Sequence, residues 1–120
     1  MRILIIDDET FLVELAIKFL EMAGYKTQGF SEAEEALHWY RENHKEVDLV
    51  ILDMKMPRMS GMVCFNKLRE INPQARIALL SGYVEDETVR SLVQQGALKF
   101  FQKPLKYPEL IEWISGVLQR

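Results

Sequence analysis

Five polar side chains stand where apolar runs of this 120-residue sequence break off. Asp7 and Asp8 follow Arg2-Ile3-Leu4-Ile5-Ile6, Asp53 follows Leu49-Val50-Ile51-Leu52, Ser81 follows Ala75 to Leu80, and Lys103 follows Leu98 to Gln102. Taken singly, each is an ordinary turn or helix-cap signal. Taken together they describe a chemistry. Three carboxylates brought close repel one another, and one ammonium offsets only part of their charge. A divalent cation brings the formal sum to zero. A site of oxygen donors without cysteine or histidine suits Mg²⁺ at ~2.0–2.1 Å, an ion that keeps waters and shares its shell with phosphoryl groups. The chemistry implied is phosphoryl transfer. Asp53 would attack phosphorus in line while Lys103 and the Ser81 hydroxyl steady the charge developing on the equatorial oxygens, and Gly82 leaves room beside Ser81.

That site exists only if the chain gathers the five residues. Arg2 to Ile6 reads as a buried strand, and Phe11, Leu12, Leu15, Ala16, Phe19 and Leu20 then recur at helical spacing up to Gly24, a C-terminal stop. Tyr25 to Phe30 is a weaker strand, and Ser31 with Glu34 predicts a capping box opening a helix through Ala33, Ala36, Leu37 and Tyr40. The central apolar run, Val47 to Leu52, ends at Asp53, and Pro57 to Gly61 bounds the loop that follows. A helix from Ser60-Gly61 carries Val63, Phe65 and Leu68 and stops at Asn72-Pro73. Ala75 to Leu80 is a further strand. Glu85-Asp86-Glu87 then suits the positive end of a helix through Val89, Leu92 and Val93, closed by Gly96. Leu98 to Gln102 is the fifth strand, and Pro108 starts a last helix with Leu110, Ile111, Ile114, Val117 and Leu118 on one face. Five strand–helix alternations with right-handed crossovers make a parallel sheet covered on both sides, with every strand's C-terminal end on one rim. Ligands bind at that rim in open α/β sheets.

Composition narrows the partners. A net charge of −3 gives no basic field for a phosphate backbone, so direct nucleic-acid binding is not expected. No apolar run approaches the ~20 residues that span a bilayer and no signal peptide opens the chain, so a cytoplasmic protein is expected. The single Cys64 lies in an apolar helical stretch and reads as a buried, inert thiol. His38 and His44 lack zinc-ligand spacing and read as surface residues.

The ordered set of motifs resembles the receiver domain of bacterial two-component response regulators, over essentially the whole chain. Its parts are Asp7-Asp8-Glu9 after the first strand, Glu35-Ala36-Leu37, Asp53 to Gly61 with Met56-Pro57 inside it, Ser81-Gly82, and Gly96-Ala97 through Phe100 to Lys103-Pro104. The resemblance implies a flavodoxin-like, doubly wound five-stranded parallel sheet of order 2-1-3-4-5 with five helices. Residues 1–120 would form one response regulatory domain. Asp53 would accept a phosphoryl group from the phosphohistidine of a sensor histidine kinase or histidine phosphotransfer protein. Asp8, Asp53 and the backbone carbonyl of Lys55 would bind Mg²⁺ directly and Asp7 through water. Ser81 and Phe100 match the family's switch pair, and the face of the fourth helix, fifth strand and fifth helix would report phosphorylation to an output domain or protein. A homodimer formed on phosphorylation also stands among the partners it allows.

Ser81 takes a position where threonine is more frequent, and keeps the hydroxyl. Phe100 lacks the phenolic oxygen of the frequent tyrosine and reports only by packing. Lys103-Pro104 matches a peptide bond that is cis in the family. Lys55 and Tyr83, each two residues past a site residue, are expected to tune the lifetime of the acyl phosphate. A phosphatase of the haloacid dehalogenase class would need a second acid where Lys55 stands. The alternative readings are a receiver-like module that works without phosphate and a receiver excised from a longer regulator or hybrid kinase.

Overall fold

The computed structural model describes residues 1–82 and 86–118. In chain order the elements are β1 (Arg2–Ile6), α1 (Thr10–Met22), β2 (Lys26–Phe30), α2 (Ala33–Asn43), a 3-10 turn (His44–Glu46), β3 (Leu49–Asp53), α3 (Gly61–Ile71), β4 (Ile77–Ser81), α4 (Glu87–Gln94), β5 (Lys99–Gln102) and α5 (Tyr107–Leu118). The strands form one parallel sheet in the order β2-β1-β3-β4-β5, the flavodoxin-like arrangement expected. Every residue of β3 and β4 is buried, because helices cover both faces of the sheet.

Side-chain alternation along the strands splits the core in two. Leu4, Ile6, Val50, Leu52, Ile77 and Leu79 pack with α2, α3 and α4. Ile3, Ile5, Leu49, Ile51 and Leu80 pack with α1 and α5. β5 follows the same rule: Phe100 leans on the first group and Phe101 on the second, where it meets Trp113 edge to face at 5.3 Å.

Two caps act as the sequence implies. Ser60 accepts a hydrogen bond from the Val63 N–H at 3.3 Å, and Asp86 accepts one from the Val89 N–H at 3.0 Å. Gly24 and Gly96 have φ of +98° and +114°, the left-handed geometry that ends a helix. The Lys103-Pro104 bond is cis.

Four expectations are corrected. Ser31 is not a helix cap: α2 begins one residue later, behind Glu32, and no side chain caps it. Phe11 is 73% exposed and Phe19 lies at the edge of the core with its ring stacked on Tyr107 at 4.4 Å, whereas Val13 is buried. Gly29 explains the rotation, since a Cβ there would come within 2.5 Å of Val13 Cγ1 and 2.8 Å of Ile17 Cδ1; α1 packs that face onto β2. Val63 and Val93 are partly exposed, and Cys64 is the buried neighbour in α3. His38 is exposed but His44 is half-buried, its ring 5.8 Å from that of Tyr40.

Candidate functional site

The rim at the C-terminal ends of the strands collects the residues singled out in the sequence. Asp7 directly follows β1, Asp53 is the last residue of β3, and Ser81 is the last residue of β4; all three are buried. One oxygen from each of Asp7, Asp8 and Asp53 lies within 4.8 Å of the others. Lys103 enters from just beyond β5. Its Nζ lies 3.0 Å from Asp7 Oδ2 and 3.5 Å from Asp53 Oδ2. The backbone orients the carboxylates as well, since the Lys55 N–H donates to Asp53 Oδ1 at 3.2 Å and the Glu9 N–H to Asp7 Oδ1 at 3.0 Å.

Glu9 is the site residue that strand-end reasoning missed. Its Oε1 is 2.9 Å from Lys103 Nζ, that amine's shortest ion-pair contact among the described residues. The signal was present in the acidic run Asp7-Asp8-Glu9, but Glu9 lies at the start of a helix rather than at the end of a strand.

The electrostatics are lopsided. Burial pushes the Asp53 carboxyl up to about 7, helped by the charge of Asp7 and a side-chain hydrogen bond with Asp8; the Lys55 N–H and Lys103 pull the other way and lose. Burial works against the Lys103 ammonium, yet hydrogen bonds with Glu9 and Asp7 and the charges of Asp53 and Asp7 overcome it and raise its pKa. The amine therefore stays charged while Asp53 resists ionising. Three oxygen-only ligands with excess negative charge fit a hard divalent cation, the donor set Mg²⁺ takes.

Space is available beside the acceptor. A cavity of about 270 Å³ lies against Ser81 and is lined by Met54, Lys55, Met56, Thr88 and Val89 among others. A Cβ built on Gly82 would meet no described atom within 4 Å. Lys55 lies two residues after Asp53 on the loop and is exposed. By strand register Phe100 pairs with Leu79 and Ser81 with Gln102, which puts the Ser81 and Phe100 side chains on the same face of the sheet. Tyr83 lies outside the described residues.

A sheet of this order with an acidic nest at its switch point defines a class, and the comparisons name it. The chain belongs to the response regulator receiver domain family, whose model matches residues 3–115. Members are signalling switches of two-component systems rather than classical enzymes, and they bind Mg²⁺ at an acidic pocket. The chain is 31% identical over 118 residues to the chemotaxis protein CheY of Bacillus subtilis, covering 98% of this chain and 97% of that one. It is 29% identical over 118 residues to the sensor kinase CckA of Brucella abortus, covering 98% of this chain and 12% of the kinase. Among solved structures, the CheX-CheY-BeF₃-Mg complex from Borrelia burgdorferi superposes with a TM-score of 0.90 at 27% identity, covering 98% of this chain and 88% of that one. No helix of the described residues is long and apolar enough to cross a membrane.

Proposed function

We propose that residues 1–120 act as one phosphorylation-driven switch in which Asp53 takes a phosphoryl group from a phosphohistidine on a sensor histidine kinase or histidine phosphotransfer protein. The observation that carries this reading is the convergence of Asp7, Asp8 and Asp53 within 4.8 Å, with Lys103 reaching in from a third segment. In the reaction an ionised Asp53 oxygen forms a P–O bond as the P–N bond to imidazole breaks, and the electron pair leaves with the imidazole nitrogen. The product is an aspartyl phosphate. Lys103 balances charge on the phosphoryl oxygens, and Ser81 offers its hydroxyl to one of them. Asp8, Asp53 and the Lys55 carbonyl would hold Mg²⁺, with Asp7 acting through water. When bound, the ion supplies positive charge against the phosphoryl oxygens and favours the ionised form of Asp53.

The added charge of roughly −1.5 to −2 then biases the Ser81 and Phe100 pair, and the face of α4, β5 and α5 passes the change to an output domain or protein. Lys55 and Tyr83 set the lifetime of the modification. A cytoplasmic setting fits the phosphohistidine donor. The beryllofluoride and magnesium in the Borrelia complex support the same chemistry here by analogy. Incubation with phosphoramidate or acetyl phosphate and Mg²⁺, followed by mass spectrometry, tests the reading. One added phosphate is expected on the wild type and none on Asp53→Asn. An unmodified wild type would instead favour a module that works without phosphate.

A further inference from the structure

Lys103 is shared unequally among its neighbours. Its Nζ lies 2.9 Å from Glu9 Oε1 and 3.2 and 3.0 Å from the two Asp7 oxygens, against 3.5 Å from Asp53 Oδ2. An ammonium has three N–H donors, so an amine engaged with Glu9 and Asp7 gives Asp53 its longest and weakest contact. Glu9 also sits where its own helix has little use for it. It is the N-cap of α1, a position at which Ser, Thr, Asp or Asn would bond the first-turn N–H groups, yet its side chain makes no capping hydrogen bond. The carboxylate is directed to Lys103, 94 residues further along the chain. Among the amine's ion-pair partners the burial differs sharply: the Glu9 side chain is 58% exposed, those of Asp7 and Asp53 only 2%. Water can replace an exposed partner at little cost, whereas a buried one left alone keeps a desolvated charge.

We propose that Glu9 is a positioning residue, a solvent-facing latch that holds the Lys103 ammonium back from Asp53 until an anionic phosphoryl group competes for it. The proposal rests on the reading of Asp53 as phosphoacceptor and adds a residue that sets how readily the site accepts its donor. Glu9 is the partner that releases, Asp7 the one that keeps the amine in the site.

Two substitutions separate the latch from a general charge effect. Glu9→Gln removes the charge, and Glu9→Asp keeps it while shortening the reach by one methylene. Binding of beryllofluoride in the presence of Mg²⁺ is measured by calorimetry, and the phosphoramidate concentration giving half-maximal modification rate by mass spectrometry. Both variants are expected to bind beryllofluoride more tightly and to reach half-maximal rate at lower phosphoramidate, by about two- to fivefold, the range open to an exposed ion pair. A tighter Gln variant beside an Asp variant equal to wild type would mean that only net charge matters, and would overturn the latch. So would two variants equal to wild type. If the wild type takes no phosphate on Asp53, the phosphoacceptor reading and the latch fall together; a normal adduct with unchanged variants removes the latch alone.

Discussion

The guanidinium of Arg69, in α3, closes on the carbonyl of Gly96 beyond the end of α4: Nη2 lies 2.9 Å from that oxygen. The same side chain donates from Nε to Ala75 at 3.1 Å and from Nη1 to Gln95 at 3.4 Å, while its cationic carbon sits 5.1 Å from the centre of the Phe65 ring. One residue thus ties α3 to the start of one strand connection and the end of another. Arg69→Ala is expected to lower stability in urea unfolding by about 1.5–3 kcal/mol, the worth of a hydrogen bond to a charged group. Arg69→Lys should restore little of it, because an ammonium lacks the planar fork that serves three carbonyls. Amide exchange in α4 should quicken in both.

Two glycines carry opposite expectations. A Cβ on Gly61 would come within 2.5 Å of Met54 Cα and 3.0 Å of the Asp53 carbonyl oxygen, backbone atoms that hold the acceptor loop. Gly61→Ala should therefore cost about 1–3 kcal/mol and slow phosphate uptake. A Cβ on Gly116, in α5, would meet no described atom within 4 Å, so Gly116→Ala should add roughly 0.5–1 kcal/mol. Thermal melts of the two variants in one buffer give the comparison.

Asp53 makes stability depend on pH in a direction opposite to that of a salt-bridged carboxylate. Its pKa rises from 3.8 to about 7 on folding, so between those values the folded state binds more protons than the unfolded one. Without metal, this group's contribution is fully present below pH ~4 and is lost as pH rises through about 7. A bound divalent cation favours the ionised form, so stabilisation by Mg²⁺ should be larger at pH 8 than at pH 5. Melts in Mg²⁺ and in EDTA at both values test this. Asp53→Asn should abolish the difference between the two pH values that belongs to this site, and EDTA should block phosphate uptake by the wild type.

Cys64 is fully buried, and its thiol is pushed up to about 12 by burial. Native protein at pH 8 should resist iodoacetamide for as long as the fold persists, and react at once in denaturant. Rapid alkylation of the native state would contradict the burial of α3 against the sheet.

The central strands were legible because β1, β3 and β4 are apolar on both faces, and a continuous run has no other soluble use at that length. Asp7, Asp8, Asp53 and Ser81 were legible for the same reason, since a polar group that terminates such a run sits on the rim; Lys103 follows β5, whose Lys99 and Gln102 are exposed, and was marked instead by the proline after it. The face of α1 was not legible. Phe11, Leu12, Val13, Leu15, Ala16, Ile17, Phe19 and Leu20 are apolar nearly all round, so periodicity alone cannot choose which of them turns inward. The choice is made by Gly29 on a neighbouring strand, which admits Val13 and Ile17 at close range. Glu9 escaped for a related reason, since its partner lies in a distant segment and its local position looks like a helix cap.

The sheet is a bulkhead between two oily holds that, among the described residues, share no side chain of their interiors. Phe100 and Phe101 are adjacent in the chain, yet each answers to a different hold. A rearrangement that starts on the α2–α4 side can reach α1 and α5 only by flexing the wall itself, and residues filling one hold can be exchanged without repacking the other.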